Sequence, residues 1–457
     1  MHSDPREIIN QSEMRRLQYV VVAITMVLNA LDGFDVMAIS FASPGIAEEW
    51  GTTPAELGFV LSMELLGMAV GSLTLGGMAD SFGRRPTILM CLLMMTLGMF
   101  MCTTTTSIEV LSVWRVVTGL GIGGILAAIN AMAAEFSNVR NRQLTIAIMS
   151  AGYPLGGVFG GLVVMQLLKV MDWRSVFYFG TAVTALMIPI VWFLMPESVH
   201  WLVRKRPANM LERVNSIMSR LGHATVAAIP EFPEEAKRKT WVDIFSPTML
   251  RTTLLVTLAY FFHIVTFYYI LKWVPKLVVD MGFSPSSASG VLTWATVGGA
   301  LGAFTFGALS RRFPLKTLTL GMFVLSWIAT CLFGQASANL AVLSALVAMA
   351  GYFINAGIVG MFGICAEVFP THVRASGTGF VIGVGRGGSA LSPILAGFLL
   401  QGGLQLPSLS IVMGSGSILA ALALVLVTIG GTGKSDAHKV EEEPKKAADP
   451  ALSPHTA

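Results

Sequence analysis

The chain has 457 residues, 54% of them hydrophobic and 12% charged, with a mean hydropathy of +0.70 and a formal net charge of +4. Soluble domains carry roughly a quarter charged residues, so this composition excludes an ordinary soluble domain and points to a polytopic membrane protein. The pI near 8.9 follows from basic loops on one side of the spans, not from a nucleic-acid partner.

Residues 1–17 are polar, with Asp4, Arg6, Glu7, Glu13, Arg15 and Arg16, and show no cleavable signal peptide. They read as a cytoplasmic N-terminus. Apolar stretches follow at about 18–42, 55–78, 86–108, 116–134, 143–168 and 175–195. Further ones lie at 252–271 and 288–310, and 317–366 and 387–433 each have room for two spans, since one span needs ~20 residues. The fold class is therefore an all-α polytopic membrane protein with twelve transmembrane helices. The expected organisation is a six-helix half over 18–195, a central cytoplasmic loop over 196–249, a second six-helix half over 250–430 and a disordered cytoplasmic tail over 431–457. Within the loop, Pro207 to Leu221 has the pattern of a surface amphipathic helix.

Lys and Arg fix the expected orientation. Lys169, Arg174 and Lys276 fall on one side, Arg115, Lys272 and Arg386 fall within spans, and the rest of the 30 lie on the other side with both termini. That side is expected to be cytoplasmic, in a cell inner (plasma) membrane. Cys91, Cys102, Cys331 and Cys365 are scattered through spans, and no metal-ligand or disulfide spacing is visible.

Ionisable residues inside spans are functional candidates by default, because a charge at the bilayer centre costs ~2.5–3.5 kcal/mol on insertion scales. Asp32 and Asp35 lie ~21 and ~25 Å into the first helix at 1.5 Å per residue. Their spacing of three keeps them on one face, and both are candidate proton carriers. The alternative for either is a structural bond to a neighbouring helix. Arg386 lies ~16 Å into the eleventh helix, and its planar fork fits a carboxylate in two-point contact. It either receives a substrate carboxylate or pairs with an intramembrane acid. Glu64, mid-depth in the second helix, is a third proton candidate or a partner of Arg386 or Arg115. His263 either contacts substrate, carries a proton or is a satisfied packing residue. Lys272 lies near the apparent end of the seventh span and is expected to snorkel. Tyr153, Tyr268, Tyr269, Asn130 and Asn355 supply aromatic faces and polar handles for a ring-bearing ligand. No nucleophile elbow or phosphate loop is present; Gly119 to Gly124 is glycine-rich inside a span, where glycine serves close helix packing.

The halves echo each other: Gly76 to Pro86 after the second span matches Gly307 to Lys316 after the eighth, and Glu135 to Arg140 matches Glu367 to Arg374. Gly76-x-x-x-Asp80-x-x-Gly83-Arg84-Arg85 closely resembles the loop signature of the major facilitator superfamily. Arg115-x-x-x-Gly119-x-Gly121-x-Gly123 resembles its fourth-helix motif, and Pro196-Glu-Ser-Val-His-Trp-Leu202 its sixth-helix exit. Asp32-Gly-Phe-Asp35 and Gly383-Val-Gly-Arg386 resemble the aromatic acid:proton symporter family within it. Ser81 stands where the superfamily usually has Arg, and Arg311 where the second copy often has Asp.

The resemblance implies two pseudo-symmetric halves and proton-coupled uptake of an aromatic carboxylate by alternating access. The proton is then the coupling ion, no cofactor is needed, and the protein is a monomer in the bilayer, not an enzyme. Arg115 is implied in the coupling network, and Asp80, Gly83, Arg84 and Arg85 in gating. Asp80 is expected to pair across the half interface, with Glu135–Arg140 and Glu367–Arg374 as similar gate pairs. The alternatives are a proton-coupled exporter of aromatic or amphipathic compounds, a symporter of another small organic anion, and a substrate-sensing receptor.

Overall fold

The computed structural model describes residues 4–229, 243–247, 249–370 and 373–427. The charged run from Glu234 to Lys239 and the whole predicted tail therefore lie outside the described residues. Six long helices form the first half: α2 (Arg16–Trp50), α3 (Pro54–Phe82), α4 (Arg84–Thr103), α5 (Ile108–Glu135), α6 (Arg142–Leu167) and α7 (Arg174–Leu194). Six form the second: α10 (Leu250–Asp280), α11 (Pro285–Leu309), α12 (Leu315–Gly334), α13 (Leu340–Val368), α14 (Arg374–Gln401) and α15 (Leu406–Val425). Three short ones, α1 (Pro5–Gln11), α8 (Val199–Lys205) and α9 (Met210–Leu221), lie outside the spans. Among the described residues twelve helices are long and apolar enough to cross a membrane, as expected.

Local sequence sets the helix starts. Thr53 Oγ1 accepts from the Glu56 amide while the Glu56 carboxylate accepts from the Thr53 amide, with Pro54 in the first turn, a reciprocal cap. Ser107, Ser284 and Asn339 accept from first-turn amides at the starts of α5, α11 and α13. Several helices outrun their predicted spans, α2 and α10 among them. α2 continues through Pro44 to Trp50 and α10 through Pro275 to Asp280. At 35 residues α2 is about 52 Å long, so Asp32 sits at its midpoint, nearer the centre of the helix than the shorter prediction placed it.

The halves repeat one packing scheme. α3 lies on α5 as α11 lies on α13, and α2 on α6 as α10 on α14. Small residues permit the approach: a Cβ at Gly119 or Gly123 of α5 would collide with the Glu64 or Met68 carbonyl of α3, and one at Gly302 with the Tyr352 carbonyl. The glycine-rich stretch 119–124 thus packs helices, as its place in a span predicts. Below the first half, α9 buries Val214, Ile217, Met218 and Leu221, which accounts for the amphipathic stretch.

The two halves meet through α3–α14, α6–α11 and α2–α10, and the meeting is one-sided. Near the face opposite the basic loops, Gly58 abuts Pro393 and Gly397, Gly397 abuts Pro54, and Ser286 Oγ donates to the Met165 carbonyl at 2.7 Å. Toward the basic loops the seam parts. Gly379 and Gly383 lie on the α14 stripe that carries Arg386 and Gly397, yet a Cβ on either would meet nothing within 4 Å. Gly307, at the corresponding end of α11, is equally open. The central space therefore opens toward the basic face.

Candidate functional site

Six ionisable side chains converge where the halves meet. Asp32 (2% exposed) and Asp35 (0%) come from α2, Glu64 from α3, Arg115 from α5, Lys272 from α10 and Arg386 from α14. Gly33 sets the position of the acid pair, because its bare Cα lies directly against the Tyr153 carbonyl of α6. Glu64 Oε2 pairs with both Arg115 and Lys272, the latter at 3.3 Å. Arg115 Nη2 also donates to the Asp35 carbonyl at 3.1 Å, and Lys272 Nζ to the Val36 carbonyl. Arg386 Nη1 donates to the Met68 carbonyl of α3 at 2.9 Å, crossing between the halves. Asp32 lies within electrostatic reach of Arg386 and Glu64, and Asp35 of Glu64, Arg115 and Asp32. The phenols of Tyr153 and Tyr268 share the field of Asp32, Glu64 and Arg386.

Three acids and three cations balance. Their hydrogen bonds do not: Asp32 Oδ1, both carboxylate oxygens of Asp35 and Glu64 Oε1 are buried without a protein partner. An unsatisfied buried acceptor costs ~1–3 kcal/mol, more when charged. A carboxyl in that position gains most from a proton or an incoming donor. Arg386, with one contact to a backbone oxygen and partial exposure, retains donors for a ligand carboxylate.

Two other candidates are consumed inside the second half, and the two asparagines bond locally. His263 is fully buried, with Nδ1 3.0 Å from Ser417 Oγ and Nε2 2.9 Å from the Ile354 carbonyl. Both ring nitrogens are spent inside the second half, so it packs rather than lines the site. Tyr269 is likewise turned inward, its hydroxyl 2.8 Å from Ser410 Oγ. Asn130 and Asn355 fold back onto the carbonyls of Leu126 and Gly351 in their own helices, the local bonding that short amides favour. Lys272 corrects the sequence expectation most directly. It does not snorkel but is 0% exposed and paired, because α10 runs on past it to Asp280 and α2 and α3 cover it.

A second charged network lies at the basic face. Gly83, at φ +115°, joins α3 to α4 in a conformation that favours glycine. Glu197 accepts from the amides of Arg84 (3.0 Å) and Ser198 (2.8 Å), with Arg85 close behind, and so caps α4. Burial pushes its carboxyl above the usual range, and these amide bonds oppose the shift. Arg84 reaches Asp80 at 3.1 Å and Glu135 at 3.0 Å. Asp80 is 3.6 Å from Arg204, and Trp201 Nε1 donates to the Asp80 carbonyl. Two motifs read separately in the sequence, at 76–85 and 196–202, thus form one unit, and Glu197 joins them.

The expected gate pairs differ. Asp80 pairs within its own half and its side chain is 60% exposed, because the halves are apart at this face. Glu135 takes Arg84 in place of Arg140, which is exposed. Among the described residues no ion pair joins Glu367 to Arg374, and Arg374 Nε donates to the Phe369 carbonyl.

Residues 25–290 and 256–454 match the family profile described as Major Facilitator Superfamily. A 4-hydroxybenzoate transporter, PcaK of Pseudomonas putida, is 30% identical over 434 residues, 94% of this chain and 96% of that protein. A gallate transporter of Pseudomonas putida is 28% identical over 425 residues, 92% of this chain and 94% of that one. Among solved structures, the inward-open xylose transporter XylE from E. coli aligns with a TM-score of 0.70 at 16% identity, over 91% of this chain and 98% of that one. That last likeness is one of fold alone.

Proposed function

Because the chain belongs to the Major Facilitator Superfamily, and is a transporter and not an enzyme, we propose that it takes up an aromatic carboxylate together with protons by alternating access. One observation carries the reading: Asp32, with an unpartnered buried oxygen, lies within electrostatic reach of Arg386 of the other half, and Tyr153 and Tyr268 share that field. A proton on Asp32 removes the internal competitor for Arg386. The guanidinium then receives the substrate carboxylate in charge-assisted hydrogen bonds, and the ring packs against the two phenols. The substrate class follows the relatives, which are named for 4-hydroxybenzoate, gallate and benzoate.

The basic face is taken as cytoplasmic from the Lys and Arg distribution, which places both termini inside and makes the present conformation inward-facing. A monoanion carried with one proton is electroneutral. A second proton, on Asp35, adds ~2.3 kcal/mol of driving force per 100 mV and produces a current.

The test is uptake of labelled 4-hydroxybenzoate into proteoliposomes with a pH gradient, acid outside. Accumulation that collapses with a protonophore supports the reading. Export driven by the same gradient contradicts it in favour of an antiporter, and absence of counterflow with 4-hydroxybenzoate, gallate and benzoate alike contradicts the substrate class.

A further inference from the structure

We propose that Lys272 is the latch of the gate opposite the basic face: a cation of the second half that binds the first half when that gate is closed and releases it on opening. The inference rests on alternating access but concerns a residue outside the proton and carboxylate assignments above.

Lys272 belongs to α10, and both its partners belong to the other half. They are the Val36 carbonyl of α2 and Glu64 Oε2 of α3. It lies in the part of α10 nearest the closed seam, where its neighbour Trp273 donates from Nε1 to the Pro393 carbonyl at 3.3 Å. The surrounding cross-half contacts, Gly58 with Pro393 and Gly397 with Pro54, are backbone and small-residue contacts without charge. Arg386 also crosses, but at the midpoint of α14 and to a backbone carbonyl. Lys272 is thus the cation joined to a carboxylate of the opposite half among the described ion pairs.

The arrangement is reversible in physical terms. Separating the halves at this face necessarily breaks both Lys272 bonds. Glu64 then keeps Arg115, which is carried by the same half, so no buried carboxylate is stranded. Lys272 moves into the widening gap and meets water, so neither charge is left dry and alone. Closing reverses the exchange, and the long flexible lysine stem suits a contact that must form and break.

The experiment uses Ala55→Cys, at the closed end of α3 where Ala55 abuts Gly397, with a membrane-impermeant maleimide added to the side opposite the basic loops. The four native cysteines are controlled by the parent protein. Labelling should be slow in Ala55→Cys alone and about tenfold faster with Lys272→Met, the scale of losing one close charge pair across an interface. Glu64→Gln should accelerate labelling similarly, and the Lys272→Met/Glu64→Gln double variant no further, since each alone already removes the Lys272–Glu64 pair. Labelling of Lys272→Met at the parental rate overturns the latch, as does full additivity in the double variant. A response of Ala55→Cys labelling to 4-hydroxybenzoate is read separately. Its absence counts against the transport reading, whereas acceleration by Lys272→Met supports the latch either way.

Discussion

The two halves share a packing scheme but not a charge scheme. The first supplies all three intramembrane acids, Asp32, Asp35 and Glu64, and one cation, Arg115; the second supplies only cations, Lys272 and Arg386. The same asymmetry recurs at the basic face. There the first half ties Asp80, Arg84, Glu135 and Glu197 into one network, while among the described residues Arg311 and Arg312 are exposed without an ion pair and Glu367 and Arg374 stay apart. Duplicated folds need duplicate only the contacts that pack helices. In the proposed cycle, acids on one side and cations on the other let proton and carboxylate bind complementary walls of one seam, and motion of the halves changes both at once.

The largest expected effect comes from the densest part of the acidic half. Glu64→Gln strips the shared carboxylate from two buried cations, and breaking a buried pair in this way costs ~3–5 kcal/mol. Thermal unfolding in detergent should show a drop of several degrees. On the cationic side, Arg386→Ala should weaken binding of 4-hydroxybenzoate by ~2–5 kcal/mol in calorimetry, with unfolding temperature changed far less. His263→Ala tests whether the polar interior of the second half only packs. It leaves Ser417 and the Ile354 carbonyl without their partner, at ~1–3 kcal/mol of stability, and ligand affinity should stay within about twofold. The smallest effects compare the two basic-face loops. Glu197→Ala should cost ~0.5–2 kcal/mol, the scale of a lost helix cap, whereas Glu367→Ala should leave unfolding unchanged. Equal losses at the two positions would erase the asymmetry.

Much of this was readable from residue types. Ten apolar stretches with room for twelve spans define the architecture, and acids at mid-span stand out because the bilayer tolerates them only for a reason. The pairing was not readable. Glu64 takes Arg115 and Lys272, a choice made by which helix faces meet across 208 positions of sequence in one case. Lys272 reads as a snorkelling residue in the sequence because hydropathy ends the span at 271, whereas the helix runs to Asp280. His263 and Tyr269 were legible as polar groups in an apolar helix. Which side of α10 meets α15, and so consumes them, is a property of the assembled bundle. Glu197 stands within the motif at 196–202, and its spacing to Gly83 carries no signal that one caps the other's helix. The gate pairs across the halves depend on conformation, and the structure holds the basic face open.

The central claim is that Asp32 carries the coupling proton and Arg386 the substrate. It is tested most directly by Asp32→Asn in proteoliposomes, comparing accumulation under a pH gradient with exchange of labelled 4-hydroxybenzoate at equal pH. The account predicts that exchange persists, because Arg386 and the phenols remain, while accumulation against the gradient disappears. An Asp32→Asn protein that accumulates substrate as the parent does would contradict it.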